Sequence, residues 1–198
     1  MERKLTYYFL KKDPAICDKL LAWRKSIDEQ PGERARLRRA ESQDDVLLLD
    51  AFFNFLQKMP EEWSESAHLP ASALIATVLA HANLHEMNQY DSTSFAAQLA
   101  TAKEGGDKPR MSEIRFQQLQ KSHDPTEFCR RLVRAVKMLD RNANLFSLAN
   151  DILHWMHEYR KGVDRNPQKR LAFCWAADYY RALPKKQSKE DSKGGTIL

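Results

Sequence analysis

The sequence predicts an all-α fold: a compact multi-helix bundle in two packed helical lobes. Three observations carry that prediction. Glycine is scarce, at 6 of 198 residues, so few positions are reserved for tight turns. Alternating apolar–polar runs of the strand type are few, while long segments are rich in Ala, Leu, Arg, Gln and Glu. Helix-start signals recur along the chain, as Asp-Pro, Asn-Pro or a capping Ser ahead of an apolar-periodic stretch.

Taken in order, Asp13-Pro14 reads as an N-cap and first helical residue, opening a helix through about Ile27. Pro31-Gly32 predicts a break. Ser42 is placed to cap one helix carrying Val46, Leu47, Leu49, Phe52, Phe53 and Leu56, an apolar set wide enough for burial. Pro70 starts the next, with Leu74, Ile75, Val78 and Leu79 inside. Residues 89–110 are weaker, with one helix around 94–102. The run Gly105-Gly106-Asp107-Lys108-Pro109 then makes a loop, and a soft lobe boundary near 103–111. Ser112 caps a short helix over 113–121, and Asp124-Pro125 starts another to about Asp140. A helix over 145–160 ends at Gly162. Asn166-Pro167 starts the last, through Ala182, and Pro184 stops it. Residues 1–184 are thus expected to form one helical domain. Residues 185–198, rich in Lys, Ser, Gly and acids, are expected to be a flexible polar tail.

Charge is distributed unevenly. Glu33-Arg34-Ala35-Arg36-Leu37-Arg38-Arg39 places four arginines in seven residues, and residues 41–65 then carry seven acids against one lysine. The chain as a whole nets only +5, so it is polarised along its length. Such polarisation speaks to partners more than to fold. Arginine presents a rigid, always-charged fork that matches phosphate, and clustering it suggests a polyanion. The competing reading is ion pairing, with Arg34 or Arg38 reaching Glu41 or Asp45 on a following turn. Exposed pairs contribute only ~0–1 kcal/mol each, too little to explain four arginines.

The helix from Asp124 gives the sharpest pattern. At 100° per residue, Arg130, Arg134, Lys137 and Arg141 fall within about 60° of one another. Phe128, Cys129, Leu132, Ala135, Val136 and Leu139 occupy the opposite side, and Arg131 lies to one flank. A solvated face normally mixes signs. This stripe has no acid, and it reads as a rail for a sugar-phosphate backbone.

Other chemistries lack their residues. His81 and His85 stand at i,i+4, and His154 and His157 at i,i+3 beside Glu158. The sequence His81-Ala82-Asn83-Leu84-His85 lacks the carboxylate that a zinc protease places after its first ligand. No phosphate loop, nucleophile elbow or cysteine-nucleophile context occurs, so no enzymatic activity, metal or cofactor is expected. Trp63, Trp155, Trp175, Tyr179 and Tyr180 could stack bases. Trp155 and Trp175, set among Leu153, Met156, Phe173 and Ala176, are better read as core. Three separated cysteines suit reduced thiols. No apolar run nears the ~20 residues that span a bilayer. The opening Met1-Glu2-Arg3-Lys4-Leu5 has no signal-like stretch, and a cytoplasmic location without membrane contact is expected.

Three stretches then resemble one known family: Gly32-Glu33-Arg34-Ala35-Arg36-Leu37-Arg38-Arg39-Ala40; Ser112-Glu113-Ile114-Arg115-Phe116-Gln117-Gln118-Leu119 ahead of the Asp124-Pro125 helix; and Phe173-Cys174-Trp175-Ala176-Ala177-Asp178-Tyr179-Tyr180. In order and spacing they are similar to the CasB family, the small subunit of type I-E CRISPR Cascade surveillance complexes, over most of residues 13–183. The resemblance implies an all-helical, non-catalytic subunit present in two copies on the inner face of a crRNA-bound assembly. There it would contact backbone and large subunits, hold the crRNA–target DNA duplex and the displaced strand, and serve antiviral defence. Arg38 and Arg39 match the family's arginine pair, Arg115 its helix-start arginine, and Arg130 and Arg131 its basic helix. The chain departs at Ser94-Phe95-Ala96-Ala97-Gln98-Leu99, which lacks a usual arginine, and at neutral Gln117 and Gln118. The candidate nucleic-acid-binding set is therefore Arg34, Arg36, Arg38, Arg39, Arg115, Arg130, Arg131, Arg134, Lys137 and Arg141. The alternatives are a purely structural bridging subunit without nucleic-acid contact and, more remotely, a helical metal-dependent hydrolase.

Overall fold

One helix, Leu69–His81, is buried at every position from Ala71 onward, and six other helices pack against it. The computed structural model describes Leu10 and residues 15–84, 93–104 and 106–184. The Asp13-Pro14 cap, His85, Gly105 and the expected tail lie outside the described residues. Within them are α1 (Ala15–Asp28), α2 (Pro31–Arg39), α3 (Gln43–Leu47), α4 (Asp50–Lys58), α5 (Leu69–His81), α6 (Phe95–Ala100), α7 (Glu113–Gln120), α8 (Pro125–Met138), α9 (Leu145–Lys161) and α10 (Leu171–Ala182), with 3₁₀ turns at Glu61–Ser64 and Pro167–Lys169. The described residues contain no strand, only a bridge between Ala102 and Pro109. The chain is all-α, as its composition requires.

Helix α5 packs against α1, α2, α3, α4, α8 and α9. Its sequence explains this. Leu-Pro-Ala-Ser-Ala-Leu-Ile-Ala-Thr-Val-Leu-Ala-His has no charged residue on any face, and a helix apolar all round is stable only when enclosed. Enclosure leaves the carbonyls of its last turn without water. Two arginines supply the donors. Arg24, wholly buried, donates from Nε to Leu79 O (3.2 Å) and Ala82 O (3.2 Å) and from Nη2 to Ala82 O (2.6 Å). Arg34 donates from Nε to Ala80 O (2.9 Å) and from Nη2 to Ala82 O (2.9 Å). Asp28 neutralises both, at 2.6 Å from Arg24 and 2.8 Å from Arg34.

Aromatic rings fill the space on either side. Trp23 meets Phe55 edge-on at 4.7 Å, and Phe55 also contacts Phe52 and Trp63. Toward the C-terminus, Phe116 stacks on Tyr179 at 4.0 Å and Phe128 on Trp155 at 4.2 Å, with Trp175 between these pairs. The expected core role of Trp155 and Trp175 holds; Trp63 and Tyr179 are buried as well, while Tyr180 is exposed. Two polar anchors orient this second cluster. Tyr179 donates to Met111 O (2.6 Å), and Trp175 Nε1 donates to the buried carboxyl of Asp151 (2.8 Å). Burial pushes that carboxyl up to about 7.

Four local expectations need correction. Pro31-Gly32 does not break the chain but forms the first turn of α2, where proline's missing N–H is harmless. The single helix expected after Ser42 is two. Ser42 and Asp45 form a capping box for α3, and extended Leu49 then turns the chain into α4. The break leaves Leu48 84% and Phe53 54% exposed. Asn166-Pro167 starts only a 3₁₀ turn. The last helix begins at Leu171, whose N–H is capped by Glu158 from α9 (2.9 Å), a partner invisible to local reading. Phe173, expected in the core, is 49% exposed.

Replacing Arg24 with Met should destabilise the fold by about 3 kcal/mol, because buried carbonyls and Asp28 lose their donor. Arg36→Ala, which removes an exposed pair, should stay within about 0.5 kcal/mol; urea unfolding of both variants measures the contrast. Asp151→Asn keeps an acceptor for Trp175. Because the native state holds the Asp151 proton more tightly than the unfolded chain, the parent loses stability as pH rises from 3.8 toward about 7. Burial holds His81 and His154 low, and they give a slope of opposite sign below pH 6.5 in parent and variant alike. The difference in unfolding free energy should therefore grow with pH in favour of Asp151→Asn. A constant difference would show that Asp151 is ionised in the fold.

Candidate nucleic-acid interface

Helix α8 is set in place by its ends. Asp124 accepts the Glu127 N–H (2.8 Å), Pro125 occupies the first turn, and Glu127 accepts the His123 N–H (2.8 Å). Phe128, Leu132, Ala135 and Val136 face the core. Arg130, Arg134 and Lys137 are consequently exposed on the outer face, and none forms an ion pair among the described residues. Cys129 does not lie fully in the core as expected. It is half-buried beside the stripe, and burial raises its thiol to about 11, so it stays neutral.

Arg141 reaches the site differently from the helical projection. Helix α8 ends at Met138, and Asp140 and Arg141 both adopt left-handed backbone, at φ 52° and 67°. Asp140 N–H bonds to Lys137 O (3.1 Å) and Arg141 N–H to Val136 O (3.0 Å), a Schellman closure of the helix. The Arg141 carbonyl then accepts the Asn83 N–H just beyond α5 (2.7 Å). Arg141 thus leaves the stripe but joins the positive field around Arg34, Arg38 and His81.

The α2 arginines divide by direction. Arg34 turns inward to the end of α5, as described above. Arg36 pairs with Asp50, both Nη1–carboxylate distances being 2.7 Å, and helps hold that carboxyl below its usual range after the Ala51 N–H. The pairing with Glu41 or Asp45 is not formed among the described residues; Asp45 serves the Ser42 cap instead. Arg38 and Arg39, at the end of α2, face Arg130, Arg134 and Lys137 across a groove of about 490 Å³. Val46, Leu74, Thr77 and Val133 also line it. Burial, with Arg141 and Arg34 nearby, lowers the Arg38 guanidinium from its ordinary value.

Two further candidates stand apart from the groove. Arg131 pairs with Glu127 (2.8 Å) and donates to Ser122 Oγ and to the Gln118 carbonyl, tying α8 to the end of α7. Arg115 is exposed on α7, outside the residues that line the groove. The structure therefore brings together Arg38, Arg39, Arg130, Arg134 and Lys137. Arg34 and Arg131 are engaged in internal bonds.

Sequence reasoning missed His81 as part of this site. It lines the groove on α5 and is only 7% exposed, and burial plus Arg38, Lys137, Arg141 and Arg34 push it down to about 4. The signal was present in its place on a helix that carries no charged residue. No group of three metal-ligating side chains assembles among the described residues. No described helix is long and apolar enough to cross a membrane.

A family model for the CRISPR-associated protein Cse2 matches residues 33–180, about three quarters of the chain. Neither the curated proteins nor the solved structures include a significant match. The match runs from within α2 through most of α10, and so contains every groove residue and, Trp23 apart, both aromatic clusters. The chain belongs to the Cse2 (CasB) family and is a subunit of a CRISPR Cascade complex.

Proposed function

We propose that this subunit is non-catalytic and holds sugar-phosphate backbone against the α2–α8 face. In that reading it steadies crRNA–target DNA pairing and the displaced strand of the R-loop during antiviral defence in the cytoplasm. Its neighbours are backbone and large Cascade subunits and a second copy of itself. The observation that carries the reading is the convergence of five cations from two helices on one groove, with four of them exposed and free of ion pairs among the described residues. Exposed cations without carboxylates do little for folding, whereas each phosphate they neutralise releases counterions. Strand exchange in an RNA-guided complex is close to energetically balanced, so a few backbone contacts suffice to tip it.

Arg130→Ala, Arg134→Ala and Lys137→Ala combined should leave the melting temperature nearly unchanged. Single-stranded DNA affinity should fall, and the slope of log affinity against log salt should become shallower by roughly one unit per lost contact. Unchanged binding would place the nucleic-acid surface elsewhere. Charge reversal of Arg38 and Arg39 to Glu should leave the subunit incorporated in purified Cascade but weaken stable target capture. Loss of the variant subunit from the complex would instead favour a purely structural bridging role. Subunit stoichiometry and target affinity measured on one preparation separate these outcomes.

A further inference from the structure

The groove has a floor as well as a cationic rim, and the floor holds two polar atoms with nothing to bond. Nδ1 of His81 and Nε of Arg38 are both buried without a hydrogen-bond partner. Both side chains line the same groove, and His81 is more than nine-tenths buried. Buried polar groups in folded proteins are nearly always satisfied, and an orphaned pair in one concavity points to an absent ligand. The surroundings state its charge. Arg38 and Arg39 approach from α2 and Arg130, Arg134 and Lys137 from α8, and the charges of Arg34 and Arg141 also reach His81. Glu41 is the one carboxylate among the lining residues. The ligand must be an anion that accepts from several directions. A phosphate group meets both demands, with tetrahedral acceptors for a guanidinium and an imidazole.

We propose that the α2–α3–α5–α8 groove is a recessed phosphate site in which His81 and Arg38 together ligate one phosphate, the rim cations closing over it. This deepens the backbone-binding reading and rests on it for the source of the phosphate, an internal phosphodiester of a bound strand. A free phosphate ion shares the chemistry. The site differs from the open rail in kind, because a rail neutralises charge whereas this contact is a directed hydrogen bond from a buried imidazole. It also gives His81 a function. Burial and the surrounding cations hold the ring neutral, and a phosphate opposite it favours the charged form. Binding therefore takes up a proton and tightens as pH falls from 7 to 5. A phosphodiester does not itself titrate in that range, and His81 is the one histidine among the residues lining the groove.

The test follows the His81 ring by NMR in the full-length protein, with its signal assigned by loss in His81→Gln. A 5′-hydroxyl oligothymidylate, which carries only internal diesters, and inorganic phosphate are the two probes. Saturating oligothymidylate should raise the His81 titration midpoint by at least one pH unit and tighten binding toward pH 5. His81→Phe should abolish the pH dependence and weaken affinity roughly tenfold. A response to inorganic phosphate, with no oligothymidylate binding at all, would keep the site as a free-anion pocket and remove the backbone reading. Salt-dependent oligothymidylate binding with His81 unmoved by either probe would overturn the proposal and leave the open rail intact. The titration itself is read on the parent, and His81→Gln serves only to assign the ring, so a binding defect in the variant does not affect the result.

Discussion

The carbonyl end of α5 is the constraint on which the rest of the structure depends. A helix enclosed on every side cannot leave its last carbonyls bare, since each unpaired group in a dry interior costs about 1–3 kcal/mol. Arg24 and Arg34 meet that demand from α1 and α2, and Asp28 holds them there. Their cationic heads also face the negative end of the helix dipole. The same three side chains therefore fix α1 and α2 against the centre of the molecule. Once α2 is docked, the direction of Arg38 and Arg39 follows from helical pitch. The basic face is thus partly a by-product of closing an apolar helix.

This arrangement concentrates positive charge beyond what closure needs. Arg24, Arg34, Arg38 and Arg141 influence one another, and the only carboxylate shared by the first two is Asp28. Arg38 and Arg141 have no equivalent among the described residues. The imbalance is greatest where α8 adds three exposed cations across the groove. A fold that left such repulsion uncompensated would gain nothing from it in isolation. The imbalance makes physical sense when an external anion completes it.

Much of this was legible in the sequence, and the exceptions have common causes. The helices starting at Pro70, Asp124 and Leu145 were readable because their start signals, a first-turn proline or a capping side chain, and their apolar residues are local. The exposed trio on α8 was readable for the same reason. The start of α10 was not, because its cap is Glu158 from another helix. The split after Ser42 was missed because the apolar count alone does not reveal a turn at Leu48-Leu49. Arg34 and Arg131 could not be separated from the exposed arginines, since an arginine that caps a distant carbonyl looks the same in sequence as one awaiting phosphate. His81 was visible but read in the frame of metal spacing. Its true neighbours come from α2 and α8, which only the tertiary fold brings together.

The turn after α8 shows a choice between backbone ease and side-chain ties. A left-handed residue at that point suits glycine best, and a glycine at position 140 would relieve local conformational cost. The chain instead carries an aspartate whose carboxylate sits 2.6 Å from Arg110 and 3.9 Å from Lys103. Those contacts draw the loop following α6 onto the end of α8. The aspartate gives up backbone ease to work as a rivet. The aim of the next residue, and with it the Arg141 carbonyl that receives Asn83, is held by two loops rather than by one flexible joint. A chain with glycine there would fold through the same turn yet let the corner of its basic face wander.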